Sequence, residues 1–179
     1  LHKGLLMGKE LDIYKLHKPD RTYDIIDLDI VSMADQIAEE NNLSYKEAVI
    51  LAKIGFPSGK TKIADIVKNG FSCKVEKEAL KQAYDVNLFT NYLVLNQKAY
   101  IALGNYLQVY GEFIPLRCDK ELILVNLLVF EDEDETLTEK AYLNGIEDGL
   151  KSLSFKSDKH LVFKSCIQGG TVLYCNAAF

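Results

Sequence analysis

Few residues in this chain are of types that could do chemistry. There are three histidines (His2, His17, His160), four cysteines (Cys73, Cys118, Cys166, Cys175) and an excess of carboxylates. Imidazoles titrate near neutral pH and ligate metals, and thiolates attack electrophiles or hold zinc. The spacing supports neither use locally. No two cysteines form C-x-x-C, and no histidine lies at ligand distance from another histidine or a cysteine. The expected state is therefore four reduced, buried thiols with no disulfide and no zinc. A Cys–His pair assembled only in space, Cys118 or Cys166 with His160, is the one nucleophile arrangement that spacing leaves open. There is no G-x-S-x-G elbow and no G-x-G-x-x-G loop. Gly55 to Thr61 (GFPSGKT) offers the lysine and hydroxyl of a phosphate loop. Its glycines are one residue too close, and it follows a capped helix where that motif needs a strand. It reads as an inter-helix turn punctuated by Pro57 and Gly59.

The carboxylates are unevenly placed. Pro19 to Asn41 holds seven acids, among them Asp20, Asp24, Asp27 and Asp29, against Arg21 alone. Glu131, Asp132, Glu133, Asp134 and Glu135 are five acids in a row, within a chain whose net charge is −5. The four aspartates invite a metal reading, but the glycine and terminal glutamate of a calcium loop are missing, which leaves Mg²⁺ on a strand face as the weaker alternative to solvated charge. Phosphate backbones would be repelled by both stretches, so nucleic acid is not an expected partner. A basic protein is compatible, because complementary charge speeds encounter and selects partners.

The elements that would carry these residues centre on Tyr84 to Phe130. Val86 to Leu95 reads as a strand, and Asn96 as a cap for a helix over Gln97 to Gln108. Gly111 breaks it. Phe113 to Cys118 follows as a strand that Pro115 makes an edge or an irregular one. Leu122 to Phe130 has one polar residue, Asn126, and reads as a strand covered on both faces. Upstream, Leu11 to Leu16 and Tyr23 to Ile30 alternate like short strands. Three short helices follow: from Ser32 to about Asn41, from the Ser44/Glu47 capping box through Ile54, and Lys62 to Lys68 capped by Thr61. Phe71 to Val75 is a further short strand, and Glu76 to Ala83 one or two helical turns. Beyond the acidic run, Leu137 to Gly149 is compatible with a helix. Leu161 to Ile167 and Thr171 to Cys175 are strands joined at Gly169-Gly170, and Asn176 is a second candidate cap.

One stretch bears a family likeness. Asp85, the Leu93–Leu95 strand, Asn96 in the cap position, Phe113-Ile114-Pro115 and Val125-Asn126-Leu127-Leu128 before an acidic run resemble the immunity-protein eleven family of bacterial polymorphic toxin systems. Phe163-Lys164, Leu173-Tyr174, Asn176 and Phe179 resemble that family's second unit. The likeness covers about residues 80–179, and it departs from the pattern where asparagine replaces the cap serine and Tyr84 stands where a proline is usual. It implies a cytoplasmic bacterial protein that binds and neutralises a cognate toxin, and it carries over no catalytic residue.

The resulting expectation is an α+β fold. A mixed, largely antiparallel sheet holds 86–95, 112–118, 122–130, 161–167 and 171–175, with helix 97–108 on one face and the short helices as a separate cluster. Residues 1–78 form an N-terminal strand and short-helix region and 79–179 the immunity-like region, together one compact domain. Leu93, Leu95, Leu103, Leu107, Phe113, Leu124, Leu127, Val129 and Phe163 are the expected core. The expected function is toxin neutralisation by occlusion, without catalysis or cofactor. The contact residues would be Asp20, Asp24, Asp27, Asp29 and Glu131 to Glu135, and homo-oligomers are compatible. The alternative is a non-catalytic small-molecule-binding or structural domain. No stretch is apolar and long enough for a membrane helix.

Overall fold

Leu93, Val94 and Leu95 are buried on both sides of their strand, and this double burial sets the architecture. The computed structural model describes residues 11–17, 25–76 and 85–179. Its helices and mostly antiparallel strands make an α+β fold. A five-stranded sheet stands in the middle, in the order β3 (Phe71–Ser72), β7 (Gly111–Arg117), β8 (Glu121–Leu127), β6 (Tyr92–Asn96), β5 (Val86–Phe89). Within this sheet, among the described residues, only the β3–β7 pair is parallel. Alternate residues point to opposite faces. Tyr92, Val94, Ile114, Leu116 and Leu124 therefore face a core built with Met33, Ile37, Ala48, Phe56 and Ile63 from the short helices. Leu93, Leu95, Val125 and Leu127 face a second core with Ala99 and Leu107 of the packed helix and Val162 and Leu173 of another sheet. The strand expected to be covered on both faces is so covered.

The short helices are α1 (Ile30–Asn41), α2 (Tyr45–Ile50), which runs into a π-helical turn at Leu51–Gly55, and α3 (Ile63–Ile66). The Ser44/Glu47 capping box is present. Two expected helix starts are corrected. Asp29, not Ser32, caps α1, its carboxylate accepting from Ser32 N at 2.7 Å. Thr61 does not cap α3. Instead Glu112 reaches across from β7 and accepts from Ile63 N (2.8 Å) and Ala64 N (3.0 Å). The Gln36 side chain bonds both Ser72 N (2.7 Å) and Ser72 O (2.9 Å), so α1 fastens to β3.

Val86 to Leu95 is a hairpin rather than one strand. β5 and β6 turn at Thr90-Asn91, with Thr90 in the left-handed region at φ 51°. Asn96 caps α4 (Gln97–Leu107) by accepting from Ala99 N at 2.9 Å, as its position predicts. Pro115 sits inside β7 opposite Ile123. The other neighbour, β3, begins its pairing only at Leu116, so the missing N–H of Pro115 leaves no rung unfilled.

The expected single sheet is divided. After β8 the chain leaves at Leu128–Val129 and enters a four-stranded sheet as β9 (Phe130–Glu131). There the order is β1 (Ile13–Lys15), β13 (Leu173–Asn176), β12 (Val162–Ser165), β9. One face of it, Val162 and Leu173, joins the second core. The other holds Phe163 and Tyr174 against Phe155, with ring centroids 5.0 Å from Phe155 in both cases. Asn176 ends β13 and caps no helix. Of the expected core, Leu103, Phe113 and Val129 are only half-buried. β2 (Ile25–Asp27) pairs with β4 (Lys74–Glu76), and the helical turns expected over 76–83 fall almost wholly outside the described residues.

Leu137 to Gly149 forms no helix. It belongs to a hairpin of β10 (Glu139–Leu143) and β11 (Ile146–Ser152). Asn144 and Gly145 have φ of 52° and 80°, the pair of positive values that a type I′ turn needs. Asn-Gly between apolar residues outweighs the weak helical periodicity.

A buried polar chain ties the layers together. Lys164 of β12 is fully buried. Its Nζ donates to Pro57 O (3.0 Å) and Asn126 Oδ1 (2.9 Å), and Asn126 Nδ2 donates to Glu112 Oε1 (2.8 Å). Burial pushes the Lys164 amine down from 10.5 to about 7, with Glu112 opposing the shift. A neutral amine has two N–H donors, which match its two oxygen acceptors. The loop read as a phosphate-loop look-alike thus serves as an anchor: Pro57 sits in the turn, with Gly59 at φ 69°.

Candidate functional site

The acidic run is not one solvated face. Extended backbone alternates its side chains, so Glu131 and Glu133 turn inward and are buried, while Asp132 and Glu135 are exposed and Asp134 is half-exposed. Glu131 Oε1 meets His160 Nδ1, and its Oε2 accepts from Ser157 Oγ at 3.1 Å. Glu133 accepts from Ser165 Oγ and from Ile167 N (3.0 Å). These two carboxylates are occupied in binding the 157–167 segment to β9. Asp134 accepts from Thr136 N (2.9 Å) and Thr136 Oγ1 (2.6 Å), bonds that hold its carboxyl below the usual range.

The Glu131–His160 pair has the carboxylate–imidazole half of a triad. Ser157, however, bonds the carboxylate and not the ring, and among the described residues no hydrogen bond reaches His160 Nε2. Cys166 points its thiol at Asp132 Oδ1 (3.8 Å), and Cys118 bonds the Lys120 carbonyl, so neither forms the spatial Cys–His pair. Among the described residues the Glu131–His160 pair with Ser157 acts as a staple and lacks the nucleophile–imidazole contact of a triad. No group of three or more histidine, cysteine or acidic side chains is placed to hold a metal among the described residues.

What the acidic run does position is the hairpin. Asp134 N donates to Ser154 O (2.8 Å) and Lys156 N to Asp132 O (2.9 Å), so the run is laced to the strand that returns from β11. Thr138 and Ser154 clamp the base with Ser154 N donating to Thr138 Oγ1 at 3.1 Å. Beyond that point nearly every side chain of β10 and β11 is exposed. Two ion pairs brace the ribbon, Lys140–Glu147 (2.9 Å) and Lys151–Glu139 (2.7 Å). Its tip presents Tyr142, Leu143 and Ile146 to solvent, with Leu137 at the base. With both hairpin lysines paired, Asp148 joins Asp132 and Glu135 as exposed negative charge on the same arm and its root.

The other acidic stretch lies elsewhere. Asp27 on β2 is exposed, and the Asp29 carboxylate is engaged on Ser32. Both line an open groove of about 690 Å³ walled by Ile26, Ile30, Val31, Tyr45, Val49 and Phe89. Asp132, Glu133 and Glu135 line a different recess with Lys156 and Ile167. Asp27 and Asp29 therefore do not join the acidic run in one surface, and Asp20 and Asp24 lie outside the described residues. Sequence reasoning missed the hairpin tip, although Asn144-Gly145 marked it, and missed the inward turn of Glu131 and Glu133, for which strict alternation was the available sign. No family model matches the chain, and no curated protein matches it. No helix among the described residues is long and apolar enough to cross a membrane.

Proposed function

We propose that the protein is an immunity-type factor that binds a cognate bacterial toxin in the cytoplasm and neutralises it by occlusion, with the β10–β11 arm and the acids at its root as the contact surface. The observation that carries this reading is the arm itself. A two-stranded ribbon alone is marginally stable in water, and one that offers Tyr142, Leu143 and Ile146 at its tip leaves apolar area that a partner can bury. Asp132, Glu135 and Asp148 beside it favour a basic partner, such as the cleft of an enzyme that holds phosphates. The resemblance of residues 80–179 to immunity proteins supplies the partner class.

The test is co-expression with the toxin domain encoded beside this chain. Wild type should rescue growth. The triple variant Tyr142→Ser, Leu143→Ser, Ile146→Ser should fold with unchanged melting temperature yet lose binding by at least ~10-fold, as tip anchors do at interfaces. Asp132→Asn with Glu135→Gln should flatten the salt dependence of association. Glu131 and Glu133 are excluded from this set, since their buried bonds make them structural. If wild type neither rescues growth nor binds, the immunity reading is wrong; if it rescues and the triple variant binds equally well, the arm is not the surface. The groove at Ile26, Val49 and Phe89 favours a second reading, a small-molecule-binding domain. A ligand that raises the melting temperature of wild type but not of Val49→Trp would favour it.

A further inference from the structure

β3 and β7 run parallel with Phe71 opposite Leu116 and Ser72 opposite Arg117. The bond from Cys73 N to Arg117 O (3.1 Å) carries that ladder one step further and brings Cys73 beside Cys118. Both thiols are half-buried, both pack against the core beneath the helices, and the two side chains interact directly. Adjacent strands lie ~4.8 Å apart, inside the ~4.4–6.8 Å between α-carbons that a disulfide spans. The remaining cysteines are placed differently: Cys175 lies on β13 of the small sheet, and Cys166 follows β12 with its thiol on Asp132.

We propose that Cys73 and Cys118 form a dithiol site that a hydroperoxide converts to an intrachain disulfide, stapling β3 to β7. One of the two sulfurs attacks an oxygen of hydrogen peroxide and becomes a sulfenic acid, with one water released. The other sulfur then displaces the hydroxyl from the sulfenic sulfur, the S–S bond forms, and a second water leaves. Two thiols and one hydrogen peroxide give one disulfide and two waters, the peroxide being reduced and the thiols oxidised. Burial, Cys118 and the carboxylates of Asp119 and Asp27 push the Cys73 thiol up to about 12. A raised thiol pKa makes Cys73 a poor leaving group, so the bond, once formed, resists thiol exchange at that sulfur. The closed loop runs from 73 to 118 and takes in β5, β6 and α4.

The test treats reduced wild-type protein with a small excess of hydrogen peroxide. The expected result is loss of two of the four thiols in denaturant, a bridged peptide containing Cys73 and Cys118, and a melting temperature raised by about 10 °C. Cys118→Ser should abolish the bridge and Cys166→Ser should keep it. The wild-type peptide map decides the matter even if Cys118→Ser folds poorly. Survival of all four thiols, or a bridge that maps to Cys166 or Cys175, overturns the proposal.

Discussion

Lys164 gives the fold a pH dependence opposite to that of a salt-bridged lysine, whose contribution is lost as pH rises. Its amine is buried and titrates at about 7, against 10.5 for a solvated lysine. Between those values the unfolded chain holds a proton that the folded chain does not. Stability therefore rises with pH through this window, by up to ~1.4 kcal/mol per pH unit for one group. Near pH 7 the folded amine is half-protonated and the slope is shallower, so the gain from pH 7 to pH 9 is about 2 kcal/mol, or roughly 4–8 °C in melting temperature for a chain of this size. The assay is urea unfolding of wild type and Lys164→Met at pH 7, 8 and 9. The methionine removes the titration. It also leaves Pro57 O and Asn126 Oδ1 without their donor, a penalty of ~1–3 kcal/mol per buried group that does not change with pH. Cys73 and every other titrating group are common to both proteins, so the difference between the two profiles isolates Lys164. Wild type should gain about 2 kcal/mol on the variant across that range. Parallel profiles would refute the account, and would mean that the ammonium is satisfied where it lies.

Two further outcomes follow from long-range contacts. Glu112→Ala removes the cap of α3 and the acceptor of Asn126 Nδ2 together, and should cost about 2 kcal/mol in chemical denaturation, with the helical layer loosened first in hydrogen exchange. Gly170→Ala places a Cβ 1.9 Å from Pro57 O at a residue with φ of 78°, and should lose more than ~1 kcal/mol in urea unfolding, whereas Gly145→Ala, whose Cβ meets nothing within 4 Å, should show only the backbone strain of its turn.

Local signals act over a turn or less, and the sequence by itself determined what they govern. The Ser44/Glu47 box, the Asn96 cap and the Gly169-Gly170 reversal all involve residues a few positions apart, so their chemistry is visible in one dimension. The run around Asn126 likewise announced a strand buried on both faces, because no solvated face could tolerate it. The tertiary structure alone decided the rest. Which sheet a strand joins depends on pairing across the chain, and so 86–95 folded back on itself while 161–167 and 171–175 went to a second sheet. The acids at 131–135 read as one charged surface until β9 set their register and turned two of them inward onto His160 and Ser165. Lys164 looks in sequence like any strand lysine, Glu112 like any surface acid, and Cys73 and Cys118 like unrelated thiols 45 positions apart. Each gained its role from a neighbour brought close only by the folding of the sheets and the helical layer.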